Sequence, residues 1–438
     1  MSSERSVTAD ADTRTDTDTR TADADIPTEA RAGTRAGAPT AQPGDVGRRN
    51  VAAIMRTVLV HGPQPRAGIA ELTGLSAGTV TRLTARLTSA GLLHELPGVR
   101  GPAEGGRPRV PLDLPTERTA VVGVHIGLLR TTVGLVDPRG GVLGQAVHAH
   151  RSSAPDVLVA QAAAAVAELA GGLGAGRRVL GVGVGIGGWV DTEHGTVVAH
   201  QPLGWHDVPL HRLLSAELGH PVRLEGTVRA MALAETWYGA ATRARSAVEL
   251  FIGNVVGSAL VLDGRIHGGP RSAAGTLTHL PVAGARGPRC DCGRYDCLQA
   301  VATDASVLAQ ARAAGSAGPG DAFEDVIARA RQGDRPAAHL LRRRARHVGR
   351  AAALVLDLLN PELVVLAGGP LLTPEYLPDV RRELVRRSQL GGEAAARLVL
   401  SGLGPQALVL SSAAPFLDAY FSDPLGYERG VERLVMDA

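Results

Sequence analysis

The chain has 438 residues, 44% hydrophobic but only 3% aromatic, and a formal net charge of +3, with a mean hydropathy of +0.05. That length allows two or three domains with cores built from Val, Leu and Ala. With no apolar run of membrane-spanning length and no basic-then-apolar leader, a span or a secreted product is not expected, and the few clustered cysteines fit a cytoplasmic protein.

In chain order, residues 1–45 alternate Thr, Asp, Ala and Arg without apolar periodicity, and are expected to form a disordered tail. Residues 46–115 read as a small helical domain with a wing. Val51, Ile54, Met55, Val58 and Leu59 recur at helical spacing, Arg66 to Thr73 forms a second helix, and Gly74-Leu75 makes the turn. Ser76 is the expected N-cap of a third helix that turns Val80, Leu83 and Leu87 inward. Gly105 to Arg109 is a tight basic turn between two short strands.

This pattern is a winged helix-turn-helix, whose third helix enters the major groove of double-stranded DNA. The expected DNA contacts are Arg66, Ser76, Thr79, Thr81, Arg82 and Arg86, with Arg107 and Arg109 at the wing tip. Between 47 and 113, nine arginines face four acids, a surplus of five that supplies sequence-independent attraction to phosphate.

From about 119 the texture becomes α/β. Strands are expected at 121–126, 131–136, 179–186, 222–225, 250–252, 258–262 and 363–366, and helices at 157–170, 228–239, 303–313, 321–332 and 336–359. Residues 116–438 are therefore expected to hold two successive α/β halves.

The three cysteines all fall within eight positions, at Cys290, Cys292 and Cys297, with His279 upstream. Three thiolates and an imidazole can close a tetrahedral shell around zinc, leaving no open position, so such a site is structural. Reduced cysteines in a loop, or one disulfide with a thiol left over, are the alternatives. His125, His200, His206 and His211 have no ligand spacing and are expected to be core or solvated side chains. The glycines from 183 to 188 lack the helix and acidic partner of a dinucleotide fingerprint.

The stretch from Arg66 to Leu93 followed by Gly106-Arg107-Pro108 resembles the winged head of ROK-family transcriptional regulators. The cysteine cluster with its upstream His, Gly264-Arg-Ile-His-Gly268, Ala274-Gly275 and the run from Leu359 to Gly369 resemble the ROK sugar-kinase body. The resemblance implies a two-lobed actin-like ATPase fold, mixed α/β, behind the winged head. It also implies that His279, Cys290, Cys292 and Cys297 hold structural zinc beside a sugar pocket, and that Glu225 and His279 are ligand-binding positions.

The departures from the kinase pattern decide the expected function. An Asp-x-Gly-Gly-Thr hairpin is replaced by His125-Ile126-Gly127-Leu128-Leu129-Arg130, and the second phosphate loop reads Gly253-Asn-Val-Val-Gly257. Where the family's kinases have Glu-Asn-Asp, whose Asp takes the sugar hydroxyl proton, this chain has Glu225-Gly226-Thr227. Thr276 and Gln299 stand where two further carboxylates are usual. Threonine is no base near neutral pH, and losing such a base costs roughly 10²–10⁴-fold in rate. No catalytic residue is expected. The chain reads as a non-enzymatic regulator, with repression the expected action, acting as a homodimer or homotetramer on a DNA operator and sensing a sugar-like ligand. An active sugar kinase and a ligand-independent DNA-binding dimer are the competing readings.

Overall fold

The computed structural model describes residues 43–97, 110–174 and 176–427. Residues 1–42 of the expected tail, Arg107 and Arg109 lie outside those residues, and the last three positions assigned to the tail belong instead to the first helix.

The head begins with α1 (Pro43–His61), whose Val51, Ile54, Met55 and Val58 are buried. A short strand, β1 (Gln64–Pro65), leads into α2 (Arg66–Thr73), and Gly74 ends that helix in the left-handed region at φ 69°. In α3 (Ala77–Ser89) the Ser76 side chain accepts a hydrogen bond from the Thr79 amide, as the sequence predicts. Two strands, β2 (His94–Glu95) and β3 (Pro111–Asp113), complete a three-stranded antiparallel sheet in the order β1-β3-β2. The strand β1 was not evident in the sequence.

The first lobe is a five-stranded sheet. Its strands are β4 (Thr119–Ile126), β5 (Arg130–Val136), β6 (Val142–Ala149), β7 (Arg178–Ile186) and, after a small meander, β11 (Val222–Gly226). The meander is β8 (Trp189–Asp191), β9 (Thr196–His200) and β10 (Trp205–Val208). Helices α4 (Pro155–Gly171) and α5 (Leu210–Leu218) bury Leu158, Val159, Leu210 and Leu214 against one face. Next, α6 (Thr227–Tyr238) leads into the second lobe.

The second sheet contains β12 (Ala247–Ile252), β13 (Val256–Leu262), β14 (Arg265–Ile266), β15 (Leu363–Gly368) and β16 (Leu398–Leu400). Between β14 and β15 come the cysteine loop, α7 (Leu298–Ala302), α8 (Asp304–Ala313), α9 (Phe323–Arg331) and the 25-residue α10 (Arg335–Leu359). Helices α11 (Gly369–Leu372), α12 (Leu377–Arg387) and α13 (Ala394–Arg397) follow, and α14 (Ala407–Ser422) returns to the first lobe.

The two sheets share one topology. Their orders are β11-β7-β4-β5-β6 and β14-β13-β12-β15-β16. In each, three antiparallel strands are extended by two parallel ones. The expected pair of α/β halves is therefore a structural repeat.

The glycines of β4 and β7 serve packing. A side chain at Gly123 would lie 2.3 Å from the Val409 carbonyl oxygen, and one at Gly183 would lie 2.1 Å from that of Ser412. These contacts let α14 lie directly on the sheet. The neighbour that approaches Gly183 is the α14 backbone.

Residues of α14, including Phe416, Leu417 and Phe421, share one apolar core with Val51, Ile54, Leu87 and Leu93 of the head. Polar contacts reinforce the joint. The Arg56 guanidinium lies 4.5 Å from the Trp237 ring centroid and donates to the Thr236 carbonyl at 3.0 Å. Arg139 pairs with Asp113 and donates to the Leu59 carbonyl at 3.1 Å. The head is thus fixed on the first lobe.

Candidate functional site: an outward helix, a cysteine cluster and a filled cleft

Burial of Val80, Leu83, Thr84 and Leu87 sets the rotation of α3 and leaves Ser76, Ala77, Gly78, Thr81, Arg82 and Arg86 exposed. The Thr81 hydroxyl donates to the Ala77 carbonyl at 2.9 Å, and the Ser76 and Thr79 hydroxyls lie 3.0 Å apart. Arg82 and Arg86 extend from this face. Small residues in the first turn allow it to approach a rigid partner closely.

Arg66 departs from the expected role. Its guanidinium donates to Glu95 at 2.8 Å and to the Thr84 hydroxyl at 3.1 Å. It ties α2 to α3 and β2 through contacts that leave the guanidinium partly exposed.

The cysteine loop converges as its spacing suggested. Ligand atoms of His279, Cys290, Cys292 and Cys297 all lie within 4.8 Å of one another. The Cys292 and Cys297 sulfurs are 3.2 Å apart, and Cys290 Sγ is 3.5 Å from His279 Nδ1. A tetrahedral zinc with Zn–S bonds of about 2.3 Å has edges of about 3.8 Å, so the four donors suit that ion. No disulfide joins any two of the three cysteines. Gly293 turns the loop at φ 86°, and the Cys290 amide donates to the Arg294 carbonyl at 2.8 Å. Arg294 also donates to the His279 carbonyl at 2.6 Å, bracing the loop from outside.

The cleft between the lobes contains internal arginines. Arg229 is buried. Its Nε donates to Glu225 at 2.6 Å, Nη1 to the Ser272 carbonyl at 2.6 Å and Nη2 to the Val190 carbonyl at 2.8 Å. Glu225 Oε1 also accepts from the Gly226 amide at 2.7 Å. The carboxylate expected to meet a ligand is therefore occupied by its own chain. Burial raises the Glu225 pKa, with Arg229 opposing that rise.

A clasp closes beside this pair. Trp189 Nε1 donates to the Arg271 carbonyl at 2.9 Å, the Arg271 guanidinium lies 4.9 Å from the Trp189 ring centroid, and the Thr192 and Ser272 hydroxyls meet at 2.8 Å. Arg271 and Ser272 both adopt left-handed backbone, at φ 51° and 55°. Such conformations cost about 1–3 kcal/mol each when surrounding contacts impose them.

The second lobe has a matching arginine. Arg344 of α10 donates to Asp304 at 2.5 Å and to the Ala302 carbonyl at 2.7 Å, and lies 4.7 Å from the Phe323 ring centroid. A side chain on Gly369 would come within 2.5 Å of this guanidinium. Gly369, the last residue of the run that resembles the kinase body, here borders an arginine.

The positions of the missing kinase groups are equally inert. The Thr227 hydroxyl is buried without a hydrogen-bond partner, and Gln299 Oε1 accepts from the Val256 amide at 2.7 Å. His125 has its pKa lowered to about 4 by burial and by Arg130, so it is neutral at pH 7. His200 accepts from the Leu203 amide at 3.2 Å, and His211 lies 3.3 Å from the Val222 carbonyl oxygen. Among the described residues the histidines of the meander join no metal-ligand group.

Trp189, Arg271, Ser272 and Arg344 were not identified from the sequence. Only the Glu225–Arg229 spacing, one helical turn, carried a local signal. Among the described residues no helix is long and apolar enough to cross a membrane.

A family model described as the ROK family matches residues 121–414. Transcriptional regulator Rv0485 of Mycobacterium tuberculosis is 33% identical over 392 residues, covering 86% of each chain. The DNA-binding transcriptional dual regulator NagC of Escherichia coli is 26% identical, over 81% of this chain and 94% of that one. The solved structure of a ROK-family transcriptional regulator, described as a homologue of the E. coli MLC protein, superposes with a TM-score of 0.75 at 25% identity, over 88% of this chain and 99% of that one.

Proposed function

The chain belongs to the ROK family, and from that premise we propose that it is a DNA-binding transcriptional regulator, acting chiefly by repression, with no phosphoryl-transfer activity. The observation that carries this reading is the outward face of α3, where Ser76, Thr81, Arg82 and Arg86 are exposed. Thr79 is half-buried and belongs to the same N-terminal turn. A helix presented in this way reads base edges with its N-terminal residues and phosphates with its flanks. Arg107 and Arg109 belong to the same reading as wing contacts. The relatives named as regulators support it.

His279, Cys290, Cys292 and Cys297 would hold structural zinc, which supplies cross-linking of the loop. A homodimer or homotetramer would place two heads on half-sites about one helical turn apart. A sugar-like effector would enter the cleft by opening the Trp189–Arg271 clasp, and would shift DNA affinity only through unequal binding to the closed and open forms.

Selection from a random duplex pool with full-length, zinc-loaded protein should enrich one motif with two related half-sites. Enrichment no better than with an Arg82→Ala, Arg86→Ala variant would refute the DNA assignment. Arg229 and Arg344 also support a second reading, in which the cleft takes no effector and the body is only an assembly platform. Thermal shift across common hexoses, acetamido sugars and their phosphates separates the two readings. Stabilisation by one of them selects the effector reading, and none selects the platform.

A further inference from the structure

Helix α10 carries a charge pattern that its own fold does not require. From Arg335 to Leu359 it contains six arginines, two histidines and a single acid, Asp357, which sits in the last turn and accepts from the Ser388 hydroxyl at 2.6 Å. Arg335 stands at the first helical position, where the helix dipole disfavours a cation. Arg342 and Arg346 are one turn apart, a spacing at which like charges destabilise a helix. Two of the six have internal roles, since Arg344 pairs with Asp304 and Arg350 with Glu383. Arg343 donates to the neutral Gln310 side chain. No partner is found for Arg335 or Arg342 among the described residues.

These side chains gather around a concavity. The ends of α8 and α9, the start of α10 and the loop before Cys290 enclose an open groove of about 1070 Å³. Arg286, Arg335, His339, Arg342 and Arg343 line it, and no carboxylate does. Its lining also includes the small residues Ala313, Ala314, Ala330 and Gly333. Small-molecule sites commonly occupy about 300–1,000 Å³, so the groove has room for a compact ligand.

Two ordinary explanations fail. Carbonyls of the loop after α8 are already taken by Arg312, through Gly318 and Pro319, and by Arg329, through Ser316. The groove is also separate from the proposed DNA face, because the head docks through Arg56 and Arg139 on the first lobe while α8, α9 and α10 belong to the second.

The geometry points to a binding site, on the outer face of the second lobe, for a small anion carrying two or more phosphate-type charges. Guanidinium forks recognise such groups through paired, charge-assisted hydrogen bonds. The ligand relieves the repulsion among the groove cations, so the fold is more stable with it bound.

The test is calorimetric titration of full-length, zinc-loaded protein with inorganic pyrophosphate, using sulfate as the single-group control. Saturable binding at least tenfold tighter than sulfate is expected, together with a rise in Tm. In an Arg335→Ala, Arg342→Ala variant the affinity falls at least tenfold, while the ligand-free variant melts no lower than wild type because a repulsive pair has been removed. Absence of saturable heat, equal affinity for sulfate, or unchanged affinity in the variant overturns the site. Loss of binding in Arg82→Ala, with retention in the groove variant, places the anion on the head and equally overturns it.

Discussion

The cysteine loop and the cleft beside it belong to one stretch of chain, yet they have kept different things. The loop retains all four soft donors within 4.8 Å of one another. In the cleft, Thr227, Thr276 and Gln299 stand where the resemblance expects carboxylates, and Arg229 and Arg344 are buried in internal ion pairs. Groups that shape the backbone persist while groups that would meet a hydroxyl or a nucleotide are gone. That difference supports the proposed reading, in which the body serves as a scaffold and the output lies in the head.

The largest effect should come from the loop. Cys297→Ser, or prolonged chelation, removes a cross-link whose binding energy is on the order of 10 kcal/mol in small zinc domains. Metal analysis should fall from one zinc per chain towards none, with early melting of the second lobe. Full retention of stability after complete metal loss would make the loop as dispensable as the lost catalytic groups, and the contrast would disappear.

The next effect belongs to the cleft. Arg229→Ala leaves Glu225 buried without its cation, and should cost about 3–5 kcal/mol in denaturant unfolding. Adding Glu225→Gln should recover part of that loss. If neither change alters stability, the pair is not what closes the cleft.

On the head, Arg82→Ala should weaken operator binding by about 1–3 kcal/mol if it grips a base, or lower the salt slope by about one if it meets phosphate. Anisotropy titrations at several salt concentrations distinguish the two.

A further effect is a pH slope from the joint between the lobes. Glu249 is fully buried without a hydrogen-bond partner, and burial followed by repulsion from Glu235 raises its pKa well above the ordinary 4.5. A raised carboxyl pKa means that the folded state holds a proton the unfolded state releases. Its contribution is complete below about pH 4.5 and falls as pH rises towards the folded value, by about 1.4 kcal/mol per unit. Glu249→Gln should therefore match wild type at low pH and exceed it increasingly above that. Parallel stability curves would contradict the assignment.

Much of this was legible because the signals were local. The α2 boundaries, the Ser76 cap and the zinc-type cluster depend on residues a few positions apart, and so did most strands. The clasp was not legible, because Trp189 and Arg271 are separated by 82 positions and meet only after both lobes fold. Arg344 carried no signal in the sequence to distinguish it from the other arginines of α10. Its burial depends on Asp304 and Phe323 arriving from other helices. The return of α14 under the first sheet was missed because its run of small and apolar residues, interrupted by Pro415, shows no helical stripe. Its two faces are both buried, so none was needed.

The most direct test is the salt dependence of binding between the full-length protein and its selected duplex. The account predicts submicromolar affinity whose logarithm falls linearly with the logarithm of salt concentration, and whose sequence preference disappears in the Arg82→Ala, Arg86→Ala variant. Weak binding that is indifferent to sequence and unaffected by those substitutions would contradict it.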